Sequence, residues 1–198
     1  MNETMLDRAG TSVSTRGAAW SASLIKPLAD KGVGTRASFV RKTFALAKAP
    51  TGATLRISAF GLFRAFINGQ RVGDDLLTPG WTSYDKRLSF LTYDVSALLK
   101  AGDNTIDIWL ADGWFRSQLM WARNPLINTY GDEIGAIAEL SVGGEVVVKT
   151  DKSWKSGLVA CTRVRLGTLL PTATARSTSR YEPQCCKGNV CRWEWGRV

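Results

Sequence analysis

The chain has no histidine. That excludes a zinc site built on imidazole, a histidine general acid or base, and a Ser-His or Cys-His nucleophile. It also has no cysteine before residue 161; Cys161, Cys185, Cys186 and Cys191 all lie in the last 38 residues. Their spacing, C-x23-C-C-x4-C, fits no paired C-x2-C knuckle, so no metal site is expected there. Random scatter would crowd four cysteines this way roughly once in a thousand chains, so the tail differs in kind from the body. No run approaches the about 18 to 20 apolar residues needed to cross a bilayer, and no membrane partner is expected. The N-terminus, MNETMLDRAGTSVSTRG, lacks a basic segment followed by an apolar one. It is not a secretory signal, which predicts a cytoplasmic protein.

What is present is ordinary in amount. Hydrophobic residues make up 44% and charged residues 22%, the proportions of a globular chain rather than a disordered one. The net charge of +9 would suit a nucleic-acid partner, but its distribution does not. Residues 36–155 carry 15 basic and 12 acidic groups, interspersed, whereas residues 161–198 carry 7 and 2. A balanced body of this kind is a solvated surface, and no nucleic-acid partner is expected.

Residues 1–35 are rich in Ser, Thr, Gly and Ala and read as a loosely held extension, with Trp20 and Ile25 placed to pin it. From Arg36 the chain becomes β-branched and aromatic. ASFVRKTFAL (37–46) alternates as a strand does. In ATLRISAF (53–60), Leu55, Ile57 and Ala59 share one face; after Gly61, Phe63, Ala65 and Ile67 share another. Asn68-Gly69 between apolar runs predicts a hairpin, because both central residues of a type I′ turn need positive φ. RLSFLTYDV (87–95) predicts a strand, and VSALLKAGDN (95–104) a single helical turn closed by Gly102. TIDIWLADG (105–113) points Ile106, Ile108 and Leu110 inward against an outward Asp107 and Trp109. EIGAIAELSVGG and EVVVKTDKSW make a last hairpin across Gly143-Gly144. Short strands with frequent turns and no long helix predict an all-β fold, an antiparallel β-sandwich of jelly-roll type over residues 36–155.

The order of motifs is more specific than any one of them. FVRKTF (39–44), FINGQRVGDDLLTPGWTSYDKR (66–87), TYDV (92–95), GDN (102–104), DGWF (112–115), YGDEIGAIAEL (130–140) and TDKSW (150–154) together resemble the N-terminal β-sandwich module of bacterial α-L-rhamnosidases. The resemblance runs from about residue 37 to residue 155. It implies a jelly roll of the galactose-binding-like kind that takes part in carbohydrate recognition. In the full-length relatives such a module precedes another β-domain and an (α/α)6 barrel, which carries the catalytic carboxylates and hydrolyses terminal L-rhamnose. Nothing in the 198 residues resembles that barrel. Glycoside hydrolysis needs two carboxylates flanking the scissile bond at a fixed separation. Asp74-Asp75 and Asp132-Glu133 are adjacent pairs that point to opposite faces if extended, so no catalytic residues are expected and the chain alone is not expected to be an enzyme.

Sugar sites combine an aromatic face with Asp, Asn and Arg that bond hydroxyls. Two stretches supply both. PGWTSYDKR offers Trp81, Tyr84, Asp85 and Arg87; DGWFRSQLMWARNPLINTYGD (112–132) offers Trp114, Trp121, Arg123, Asn124 and Tyr130 on a long irregular connection. Carbohydrate contact is expected from Trp81, Tyr84, Asp85, Arg87, Trp114, Trp121 and Asn124. Trp114 is equally placed to cap the sandwich, and Trp81 to pack over the hairpin of residues 66–73. Some members of the family bind rhamnose through calcium, for which Asp85, Asn124 and the carbonyl near Pro125 are the candidate oxygens. Lys86, beside Asp85, is a fixed cation that argues against calcium, and no other cofactor is implied.

Residues 156–198 break the pattern, with all four cysteines, seven basic groups and no Asp. A shift of reading frame near residue 160 would produce this break, as would a divergent natural tail. The reading that emerges is a non-catalytic carbohydrate-recognition module binding rhamnose-containing glycans, with the rest of a parent enzyme as partner. The alternative is a domain that braces that enzyme and has no ligand of its own.

Overall fold

The computed structural model describes residues 19–119 and 126–159, and three two-residue strands outside them, Met5–Leu6, Ser12–Val13 and Gly196–Arg197. The four cysteines and most of the Cys/Arg-rich tail lie outside the described residues, as do Trp121, Arg123, Asn124 and Pro125.

Nine strands form the body: β1 (Ser38–Leu46), β2 (Ala53–Phe60), β3 (Leu62–Ile67), β4 (Gln70–Arg71), β5 (Leu91–Asp94), β6 (Gly102–Ala111), β7 (Gly135–Val142), β8 (Glu145–Lys149) and β9 (Lys155–Leu158). One sheet has the order β8-β7-β2-β5. The other runs β9-β1-β6-β3-β4, with Gly196–Arg197 pairing outside β9. Every strand pair is antiparallel. The facing surfaces bury Leu55, Ile57 and Ala59 of β2 against Phe63, Ala65 and Ile67 of β3 and Ile106, Ile108 and Leu110 of β6, in one contiguous core. These are the residues whose alternation marks the inner face, so the sandwich is the one the sequence predicts.

The turns follow their chemistry. Asn68 and Gly69 have φ of 52° and 80°, as a type I′ turn demands. The Asn68 side chain also donates to the carbonyl of Leu98 (2.9 Å) and to Oδ1 of the buried Asn104 (2.8 Å), and accepts from the amide of Thr105 (3.0 Å). The NG and GDN motifs are therefore two halves of one polar lock at the end of the sandwich.

Four expectations need correction. The strand expected over 87–95 is confined to Leu91–Asp94, because residues 83–87 close a turn in which the amides of Lys86 and Arg87 both donate to Ser83 O. The helical turn is a short 3-10 segment, Ser96–Leu98, and Gly102 already begins β6. Asp107 is not a solvent-facing residue: it is 6% exposed and is clasped by Arg41 across the β1–β6 pair. The outer face of this sheet is thus partly covered too.

The fourth concerns residues 19–30, which are built into the domain. β8 ends at Lys149, and beyond it Ile25 takes over the edge of β7: the Ile25 amide donates to Ala136 O and the Ala136 amide to Ile25 O, each at 2.9 Å, while the Ser23 amide donates to Thr150 O. Thr150 Oγ1 donates to Ser23 O (2.6 Å). Glu139 accepts the amide of Ala22 (2.9 Å) and pairs with Arg56, whose guanidinium lies 4.1 Å over the Trp20 ring. Trp20 and Ile25 pin the segment as expected, but the grip is far more extensive.

Candidate functional site

The connection from β4 to β5 is shaped by the edge of β3. The Phe63 amide donates to Thr78 O (2.9 Å), and Thr78 Oγ1 returns a bond to Phe63 O (2.6 Å). Leu77 and Gly80 take positive φ on either side of a cis Thr78–Pro79 bond. Trp81, the next residue, is 61% exposed. Its indole Nε1 donates to the hydroxyl of Tyr130 at 3.3 Å.

Behind Trp81 stands a ladder of rings. Tyr130 tilts against Tyr84 with centroids 5.0 Å apart, Tyr84 meets Phe115 edge-on at 5.2 Å, and Phe115 stacks on Phe60 at 4.7 Å and 6°. Phe115 belongs to α1 (Gly113–Arg116), a single turn that enters the sandwich because Gly113 passes close to β3. A Cβ at Gly113 would lie 2.6 Å from Leu62 Cγ. Tyr130 is delivered by a return strand of loop, whose amides at Asn128 and Tyr130 donate to the carbonyls of Arg116 and Phe115. Two loops far apart in sequence thus meet at one surface.

Arg116 holds this end together from below. Its guanidinium, 1% exposed, makes a forked pair with Asp30 (2.6 and 2.7 Å), a bond to Asp112 (2.6 Å) and one to the carbonyl of Asp132 (2.8 Å). Burial alone would lower its pKa, but the two carboxylates outweigh that and raise it, so it stays charged.

The structure distributes the expected site residues unevenly. Trp81 is open to solvent rather than packed away over the hairpin. Asp85 and Arg87 are exposed on the following turn, with Arg87 Nε donating to Thr82 Oγ1 (3.0 Å). Tyr84 is only 8% exposed, and its hydroxyl donates to Gly80 O (3.0 Å). Burial and the neighbouring Tyr130 push its pKa up to about 12, which keeps it a protonated donor. It supports the surface instead of facing a ligand. Trp114 is half-buried on α1 and takes no part in the ladder. Trp121 and Asn124 lie outside the described residues. Phe115 and Phe60 were not expected at the site; only the FR pair after DGW hints that one side chain turns inward and the next is clasped.

Among the described residues no three acidic or thiol groups converge as a metal cage would need. A cleft of about 360 Å³ opens elsewhere, between β1 and β8, lined by Ser21, Lys42, Phe44, Val148, Lys149 and Asp151 among others. It contains none of the residues selected from the sequence.

Comparison with known proteins places this geometry. Residues 48–165 match the family model of the α-L-rhamnosidase N-terminal domain. An α-L-rhamnosidase of Formosa agariphila is 36% identical over 123 residues, 61% of the chain, and one of Streptomyces avermitilis 35% identical over 138 residues, 69% of it. The chain spans 13% of the length of each. Among solved structures, the native α-L-rhamnosidase of Aspergillus terreus superposes with a TM-score of 0.65 at 35% identity, covering 70% of this chain and 17% of that one. The Streptomyces avermitilis α-L-rhamnosidase complexed with L-rhamnose gives 0.56 at 32%, covering 63% and 12%.

Proposed function

Because the chain belongs to the family of α-L-rhamnosidase N-terminal domains, we propose that it is a non-catalytic sugar-binding module whose site is the loop end around Trp81. The exposed indole carries this reading. An apolar face held in place by Tyr130 suits the C–H face of a deoxysugar such as L-rhamnose, and Asp85 and Arg87 stand on the next turn to bond its hydroxyls. Trp114, Trp121 and Asn124 are the further contacts proposed. A likeness to an enzyme solved with L-rhamnose supports the sugar class. The half-buried acids at this end, Asp30 and Asp112, are both bound to Arg116.

A second reading has its own observation. Leu76 and Leu77 are exposed five and four residues before Trp81, which suits a face that braces the remainder of a longer enzyme. Titration calorimetry with L-rhamnose separates the two. The wild type is expected to bind, and Trp81→Ala and Asp85→Ala to lose at least ten-fold in affinity with melting temperatures nearly unchanged. No heat of binding at 50 mM L-rhamnose, with or without calcium, would leave the bracing role.

A further inference from the structure

Away from the loop end, the outer face of the second sheet carries a cation, Arg64, that no described residue pairs with. In β3, Arg64 and Phe66 alternate with the buried Phe63, Ala65 and Ile67, and so point outward. Register pairs Arg64 with Trp109 and Phe66 with Asp107 across β6. The Phe66 and Trp109 rings are in contact, with centroids 4.7 Å apart and tilted by 45°. All three side chains are half-buried.

The acid nearest Arg64 in register, Asp107, is already committed, since it is clasped by Arg41. Arg64 has no ion pair or side-chain hydrogen bond among the described residues, and the charge that acts on it is that of a second cation, Arg71. Arg71 spends one terminal nitrogen on the carbonyl of Asp75 and has a buried Nε with no partner. Partial burial, and then Arg71, push the pKa of Arg64 down, because both disfavour its charged form.

We propose that Arg64 and the Trp109–Phe66 pair form a second carbohydrate site, distinct from the Trp81 end, that takes a carboxylate-bearing sugar, a uronate. The planar fork of arginine matches the two oxygens of a carboxylate, which a neutral sugar lacks. The indole beside it supplies a face for the ring's C–H groups. The large half-buried apolar side chains around Arg64 are Leu62, Phe66 and Trp109, a footprint suited to one or two sugar rings.

Calorimetric titration of the whole chain with tri-galacturonate, its methyl ester and L-rhamnose tests this. Tri-galacturonate is expected to bind, the methyl ester at least ten-fold more weakly, with affinity falling as salt rises. Arg64→Ala should abolish binding, Arg64→Lys should lose most of it by keeping charge without the fork, and Trp109→Phe should weaken it. Trp81→Ala should bind tri-galacturonate as wild type does, so failure of the rhamnose reading and failure of this one are separable. No binding by the wild type, equal binding of acid and ester, or an Arg64→Ala variant that binds normally would each overturn the site.

Discussion

Arg116 is the residue on which the loop end is expected to depend most. Replacing it with methionine keeps much of the side chain's volume and removes its charge. Four hydrogen bonds go: two to Asp30, one to Asp112 and one to the carbonyl of Asp132. Removing one partner of a buried ion pair costs about 3–5 kcal/mol, chiefly because the other charge is stranded. Here the Asp30 and Asp112 side chains keep 15% and 17% of their exposure, so water relieves part of that cost. The loss should sit at the lower end, about 3 kcal/mol. For a chain of this size that corresponds to a fall in Tm of about 6–12 °C. Circular dichroism melts measure it directly. The mechanism makes a sharper demand: adding Asp30→Asn and Asp112→Asn to Arg116→Met should restore at least about 1 kcal/mol, because the stranded charges are gone. If the three substitutions instead destabilise additively, or if Arg116→Met costs under about 0.5 kcal/mol, charge pairing does not hold this end together.

Two further outcomes follow from local geometry. Gly61 has φ of +107°, and a Cβ there would lie 2.3 Å from the carbonyl oxygen of Ala111, so Gly61→Ala should cost about 3 kcal/mol; an unchanged urea midpoint would contradict that close approach. Burial would raise the Glu139 pKa, but bonds from Ala22, Ser21 and Arg56 overcome it and lower it below 4.5, so its stabilisation is present above that value and lost as pH falls below it. Glu139→Gln should therefore flatten the acid limb of a Tm-against-pH curve, and an identical limb in wild type and variant would refute the linkage.

The inner faces of β2, β3 and β6 were legible because a two-residue period meets a core on one side only, and Asn68-Gly69 because few residues tolerate its turn. Asp107 misled for the complementary reason. Alternation marks it as polar and outward, and nothing local tells that Arg41, on another strand, closes over it. Tyr84 looked like a ligand contact because it sits three residues beyond Trp81, next to Asp85 and three residues before Arg87. What buries it is Phe115, 31 residues later, whose approach depends on Gly113. The exposure of Trp81 was undecidable from its neighbours, since Pro-Gly before it permits either direction. The firm attachment of residues 19–30 rests wholly on partners distant in the chain.

That attachment has a consequence in time. Ser23 is received by Thr150, 127 residues downstream, and Asp30 by Arg116, 86 residues downstream. During synthesis at about 5–20 residues per second, the segment waits on the order of 6 to 25 seconds between leaving the ribosome and meeting its last acceptor. Until then the backbone of Ser23 and Ile25 lacks its partners and is open to pairing with a neighbouring nascent chain. Residues 19–30, made before any strand of the sandwich, are among the last to be secured, and the margin between folding and aggregation for this domain is set over that interval.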